Sequence, residues 1–162
     1  GWALGLSGRQ MAETLRSFPG VPHRLEKVAV INGVEYINDS KGTNPEAAIK
    51  ALLAFDKPIV LIAGGSRKGN MDFSELAHKI KEKVRELILV GETAEEIKAA
   101  VEEVGFHRAT IVNNLEEGVK LAAALARPGE IVLLSPACAS FDFFRNFEHR
   151  GEVFKELVHR LA

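Results

Sequence analysis

From Ile59 onward the chain repeats one rhythm: a short continuous apolar run, a turn, then apolar positions spaced three or four apart. The runs are Ile59-Val60-Leu61-Ile62-Ala63, Leu87-Ile88-Leu89-Val90, Ala109-Thr110-Ile111-Val112 and Ile131-Val132-Leu133-Leu134. Short β-branched runs bounded by turn residues predict strands covered on both faces. Between them the helical period links Phe73, Leu76, Ala77, Ile80 and Val84, then Ala94, Ile97, Val101 and Val104, then Leu115, Val119, Ala122 and Ala123. A last helix is predicted through Phe147, Phe154, Leu157, Val158 and Leu161. Upstream, Lys27 to Ile31 and Val34 to Asn38 flank Asn32-Gly33, the dipeptide best suited to a type I′ hairpin.

These elements predict an α/β fold: a doubly wound, mostly parallel, Rossmann-like sheet of about six strands, opened by a β-hairpin and covered by helices on both faces. Ligands of such sheets sit beyond the carboxyl ends of the strands, here the turns after Asn38, Ala63, Val90, Val112 and Leu134. Ahead of the sheet, Ser7-Gly8-Arg9-Gln10 has capping-box spacing, and Met11, Leu15 and Phe18 extend a helix from about Ser7 to Ser17. Pro19-Gly20 ends it, and Val21-Pro22-His23-Arg24-Leu25 reads as an extended linker. The opening Gly1-Trp2-Ala3-Leu4-Gly5 lacks an initiator methionine and starts in mid-pattern, as a piece of a longer chain would.

Length narrows this to one compact domain, since 162 residues with 46% hydrophobic content can bury a single good core. A net charge of −1 argues against broad attraction to nucleic acid. The lone Cys138 excludes an intrachain disulfide framework. With no signal-like segment and no apolar run near the ~20 residues of a membrane span, the expected location is the cytoplasm.

Three of the five turns carry unusual chemistry. Asn38-Asp39-Ser40-Lys41-Gly42-Thr43-Asn44-Pro45-Glu46 precedes the helical Ala47-Ala48-Ile49-Lys50-Ala51-Leu52-Leu53. Asn44 suits the N-cap because a residue before proline avoids the α region; Thr43 with Glu46 as a capping box is the rival register. An Asn44 cap leaves Thr43 and Lys41 free to face a ligand at the positive helix end. After Ala63, Gly64-Gly65-Ser66-Arg67-Lys68-Gly69-Asn70 sets two cations in a glycine-rich loop that is neither a Walker A loop nor a dinucleotide fingerprint. Its bland reading is solvated charge, and its sharper one is Lys68 as a point charge for a carboxylate or phosphate.

After Leu134, Ser135-Pro136-Ala137-Cys138-Ala139-Ser140-Phe141-Asp142 lets backbone N–H groups approach an anion, with Ser140 either a cap or a hydroxyl donor. Cys138 between alanines reads as a small buried hydrophobe rather than a nucleophile. The turns after Val90 and Val112 read as structural caps: Gly91-Glu92-Thr93 puts acids at a helix start, and Asn113-Asn114 can cap the next. The five histidines lack metal-ligand spacing, so no protein-only metal site is expected.

Together, Asp39-Ser40-Lys41-Gly42-Thr43-Asn44, the Gly64-Gly65 loop with Lys68-Gly69, and Ser135 to Asp142 followed by Asn146-Phe147-Glu148-His149-Arg150-Gly151 resemble the C-terminal domain of the Mur ligases, in the branch that adds D-glutamate. Phe18-Pro19-Gly20-Val21-Pro22-His23-Arg24-Leu25-Glu26 resembles the family's junction between central and C-terminal domains. The resemblance implies that residues 1–20 are the tail of a central ATPase domain and residues 21–162 the C-terminal domain.

It also implies a reaction of peptidoglycan synthesis: ATP phosphorylates the terminal carboxylate of UDP-N-acetylmuramoyl-L-alanine, and the amine of D-glutamate attacks the acyl phosphate. Carried over by residue, Thr43 and Lys68 would hold the side-chain carboxylate of D-glutamate, and Ser140 with backbone near Phe141 and Phe147 its α-carboxylate. His23, Arg24 and Asp39 would reach ATP, the aspartate at the ribose and the arginine toward the phosphates. Lys41 would act catalytically near the phosphates or acyl phosphate. The main phosphate loop, the Mg²⁺ carboxylates and the uridine site belong to domains outside this sequence, so the chain alone is expected to be inactive. The competing expectation is a stand-alone, non-catalytic binding or interaction module derived from such a ligase.

Overall fold

A computed structural model describes residues 2–17 and 20–162. Phe18 and Pro19, read above as the last apolar position and the stop of the first helix, lie outside the described residues, as does the side chain of Leu15. The elements are α1 (Gly8–Ser17), β1 (Glu26–Ile31), β2 (Val34–Asn38), α2 (Pro45–Leu53), β3 (Ile59–Ala63), α3 (Ser74–Lys83), β4 (Val84–Val90), α4 (Ala94–Glu103), β5 (Ala109–Val112), α5 (Leu115–Leu125), β6 (Ile131–Leu134) and α6 (Phe147–His159). The strands form one sheet in the order β1-β2-β6-β3-β4-β5, antiparallel at β1–β2 and parallel elsewhere.

Strand alternation divides the core in two. Ile37, Ile59, Leu61, Leu87, Leu89, Ile131 and Leu133 pack with α2, α3 and α4 on one face. Tyr36, Val60, Ile62, Ile88, Val132 and Leu134 pack with α5 and α6 on the other. Every residue of β3 is buried, as a continuous apolar run requires. β5 differs from expectation: it is the sheet's edge and its residues stay partly exposed.

Local chemistry sets the ends of elements. Asn32 (φ 51°) and Gly33 (φ 78°) make the left-handed pair of the hairpin turn. In the capping box before α1, the Ser7 N–H donates to Gln10 Oε1 at 2.9 Å and the Gln10 N–H to Ser7 Oγ at 3.3 Å. Asn44 caps α2, its Oδ1 accepting from the Ala47 N–H at 2.8 Å, so the Thr43 register is set aside. Two expectations need correction. Val84 does not end a helix: its backbone is extended (φ −98°, ψ 130°) and pairs with Ile59, so β4 follows α3 directly. Nor is the linker at 21–25 extended, because the Arg24 N–H bonds to Val21 O and His23 (φ 62°) and Leu25 (φ 45°) turn left-handed. Glu26 Oε2 accepts from the His23 N–H at 2.9 Å and Asp39 Oδ1 from the Leu25 N–H at 3.3 Å, which offsets the strain of that backbone.

Beside the hairpin turn, at the amino ends of the parallel strands, Arg85 grips Glu130 with two bonds of 2.8 and 2.9 Å, and the Arg127 N–H adds a third. Burial pushes the Glu130 carboxyl up, but the Arg85 and Arg127 bonds outweigh it and hold it below the ordinary glutamate value. A depressed folded pKa stabilises above the unfolded value and loses that contribution as pH falls through the folded one. Glu130→Gln should therefore cost about 1–3 kcal/mol at neutral pH in urea unfolding. The gap to wild type should narrow below about pH 4.

Candidate functional site

The insertion of β6 between β2 and β3 makes neighbours of three turns far apart in sequence. The turns after β2, β6 and β3 are the three singled out by their chemistry, and they emerge side by side at the carboxyl end of the sheet. Backbone bonds stitch them: Asp39 N–H to Leu134 O and Gly64 N–H to Pro136 O at 2.8 Å, Ala137 N–H to Gly42 O and Ser66 N–H to Ala139 O at 2.9 Å.

In the first turn Asp39 is 5% exposed and accepts from Ser135 Oγ at 2.8 Å. Burial pushes its carboxyl up, and the bonds from Ser135 and Leu25 pull it only part of the way back. Gly42 is required here by space, since a Cβ would meet Asp39 Oδ2 at 2.6 Å and Ser135 Oγ at 3.0 Å. Arg24, Asp39, Lys41, Gly42 and Lys50 line a cleft of about 340 Å³ beside the start of α2. Lys50 is paired with Glu46 at 2.9 Å, whereas Arg24 and Lys41 have no carboxylate partner among the described residues. The Lys41 ammonium stands 5.6 Å from the centre of the Phe147 ring.

On the other side of the same helix start, a cleft of about 510 Å³ is lined by Thr43, Asn44, Glu46, Ile49, Lys68, Asn70, Asp72 and Glu75. The two cations of the glycine loop part company: Arg67 pairs with Glu96, while Lys68 borders the cleft. Three acids also border it, which would oppose an anion. Two of them are engaged, Glu46 by Lys50 and Asp72 by the N–H and hydroxyl of Ser74. Lys68, the Thr43 hydroxyl and the N-terminal end of α2 are left to favour a carboxylate.

The third turn is pinned from within. Arg150, in the first turns of α6, is 3% exposed and donates to Ser40 Oγ and O at 3.0 and 2.9 Å, to Cys138 O at 3.2 Å from both terminal nitrogens, and to Ala139 O at 3.1 Å. Burial lowers its pKa to about 10, the electrostatic cost of holding a guanidinium mainly on neutral acceptors. Cys138 is fully buried, its thiol pushed up to about 11 by burial, and its sulfur lies 3.1 Å from Thr93 Oγ1; it is a packing residue. Gly151 lets His23 lie against α6, for a Cβ there would meet His23 Nδ1 at 2.2 Å.

Thr43 and Lys68 thus share one cleft, and Arg24, Asp39 and Lys41 share the other. Ser140, 2% exposed, and Phe141, 71% exposed, line neither. Phe141 presents its side chain to solvent while its N–H bonds to Ser66 Oγ at 3.0 Å. Phe147 heads α6 as its first residue, where a backbone N–H has no intrahelical acceptor. His23 faces neither cleft: its ring is buried, Nδ1 accepts from Asn38 Nδ2 at 3.0 Å and Nε2 lies 3.4 Å from Glu152. Sequence reasoning counted Arg150 and Ser135 among the motif residues but gave neither a role. The signal for Arg150 was present, since it falls on the apolar face between Phe147 and Phe154, where an arginine must be buried and bonded. The turn after Val90 is structural for another reason than a cap, with Thr93 Oγ1 donating to Gly65 O at 3.0 Å.

Paired anion-favouring clefts at the carboxyl edge of a parallel sheet define a ligand-binding α/β domain. The chain belongs to the Mur ligase family, whose "Mur ligase, glutamate ligase domain" matches residues 23–138. It is similar to the UDP-N-acetylmuramoylalanine–D-glutamate ligase of Pelotomaculum thermopropionicum, 55% identical over 156 residues that cover 96% of this chain and 34% of that protein. The ligase of the same description from Desulfitobacterium hafniense is 52% identical over 157 residues, 97% of this chain and 34% of the relative. The chain therefore spans about a third of the length of these relatives. Among solved structures, the UDP-N-acetylmuramate-alanine ligase of Thermotoga maritima shares the fold with a TM-score of 0.68 at 16% identity, over 99% of this chain and 35% of that one. The MurF ligase of Thermotoga maritima, solved in complex with ADP, matches with a TM-score of 0.61 at 20% identity, over 99% of this chain and 36% of that one.

Proposed function

We propose that residues 21–162 are the D-glutamate-binding domain of an ATP-dependent, cytoplasmic ligase that joins D-glutamate to UDP-N-acetylmuramoyl-L-alanine, and that residues 1–20 are the tail of its central ATPase domain. The observation that carries this reading is the pair of clefts on either side of the α2 N-terminus, which share Asn44 and Glu46. Thr43 and Lys68 hold the side-chain carboxylate of D-glutamate in one cleft. Ser140 and backbone groups near Phe141 and Phe147 take the α-carboxylate, the Phe141 N–H itself being held by Ser66 Oγ.

In the other cleft Arg24 and Lys41 face the phosphates and the spare lone pairs of Asp39 accept from the ribose, two cations and an acceptor that fit an anionic nucleotide. His23 serves that cleft indirectly, by fixing the backbone on which Arg24 stands. The glutamate amine attacks the acyl phosphate, forming the amide and releasing phosphate, and the domain's part is positioning and charge stabilisation. Among the described residues no three His, Cys, Asp or Glu side chains converge as a protein-only metal site would need. None of the described helices is long and apolar enough to cross a membrane.

Titration of the isolated chain with D- and L-glutamate, followed by amide-resolved NMR, tests the reading. Shifts at Thr43, Lys68, Ser140 and Phe147 with the D-enantiomer alone are expected. Equal responses to both enantiomers would point instead to a non-selective binding module. The same isolated chain is expected to show no ligation of D-glutamate in a steady-state assay.

A further inference from the structure

The contact between the Lys41 ammonium and the face of Phe147, 5.6 Å to the ring centroid, lies within cation–π range. Hydrogen bonds fix the backbone on both sides of it. The Lys41 N–H donates to His23 O at 3.0 Å, and Ser40 Oγ donates to the Phe147 carbonyl at 2.8 Å while accepting from Arg150 Nε at 3.0 Å. The ring itself is oriented by the edge of His23, 6.2 Å away at 81°. Glu46, which could have drawn the ammonium away, pairs with Lys50 instead. Lys41 is exposed and borders the Arg24–Asp39 cleft, so without the ring its long stem would sample many rotamers.

We propose that the ring of Phe147 is a positioning residue, holding the Lys41 ammonium at the mouth of the cleft so that it meets a phosphate or acyl phosphate already ordered. This rests on the function proposed above and goes beyond it, since that reading uses only the Phe147 backbone. Fixing a cation before the reaction removes an ordering cost from the transition state, so the effect falls on kcat more than on D-glutamate affinity.

The test uses the full-length ligase and the isolated chain. In the ligase, Phe147→Leu should lower kcat roughly two- to five-fold with the D-glutamate KM within about twofold, and Phe147→Tyr should restore the rate. In a Lys41→Met background, Phe147→Leu should cause no further loss. In the chain, NMR should show the Lys41 ε-methylene protons shifted upfield by the ring, a shift lost in Phe147→Leu and kept in Phe147→Tyr. An equal additional loss in the Lys41→Met background, or an unshifted Lys41 in the wild type, overturns the proposal. A wild-type ligase without D-glutamate-dependent turnover overturns the proposed function and the positioning role with it, and that failure is read from the wild-type rate alone.

Discussion

Arg150→Met is expected to cost about 3–5 kcal/mol of folding free energy, against a total of about 5–15 kcal/mol for a typical domain. The guanidinium donates to the carbonyls of Ser40, Cys138 and Ala139 and to the Ser40 hydroxyl. Ala139 O keeps the Ser66 N–H when Arg150 is gone, but the carbonyls of Ser40 and Cys138 lose their guanidinium donors. Removing a buried charge relieves its desolvation, which tempers the loss without reversing it, because the orphaned carbonyls stay buried. Arg150→Lys should recover little, since an ammonium cannot span acceptors on two turns as a planar fork does. Urea unfolding of the three proteins measures the effect, and a loss under 1 kcal/mol for Arg150→Met would show that the turns hold together without the clamp.

Gly64→Ala comes next, at about 3 kcal/mol or more. The residue sits at φ +103°, and an added Cβ would lie 2.2 Å from the Val90 carbonyl oxygen, a backbone atom of the neighbouring strand. Gly65 is bound the same way, at φ +146° with Ala139 O 2.2 Å from its would-be Cβ. The loop has to separate from β4 or from the turn after β6 to admit the methyl group, and either movement carries Lys68 with it. Loss of stability in Gly64→Ala should therefore come with a raised D-glutamate KM in the full-length ligase. A stable variant with normal kinetics would contradict this view of the loop.

Periodicity made most of the fold legible. The apolar runs became buried strands, Asn32-Gly33 became the hairpin turn, and the restriction before Pro45 selected Asn44 as the cap. Strand order was not legible, because nothing local records that β6 enters between β2 and β3. That order brings Asp39 to Ser135 and Ser40 to Arg150, contacts 96 and 110 residues apart along the chain. The left-handed His23 and Leu25 were hidden for the same reason, as their conformation answers acceptors on Glu26 and Asp39 rather than any turn residue of their own. Candidate ligand residues were legible through motif resemblance, but their division between two clefts followed from the start of α2 standing between them, and the withdrawal of His23 into the interior from its packing against α6.

The two clefts beside α2 are expected to divide the substrates, with Lys68 serving D-glutamate and not the nucleotide. Steady-state kinetics of the full-length ligase carrying Lys68→Ala, varied separately in D-glutamate and in ATP, test it most directly. Loss of a charged partner to a carboxylate predicts a D-glutamate KM raised about ten-fold or more with the ATP KM unchanged. An unchanged D-glutamate KM, or an equal rise for ATP, would contradict the account.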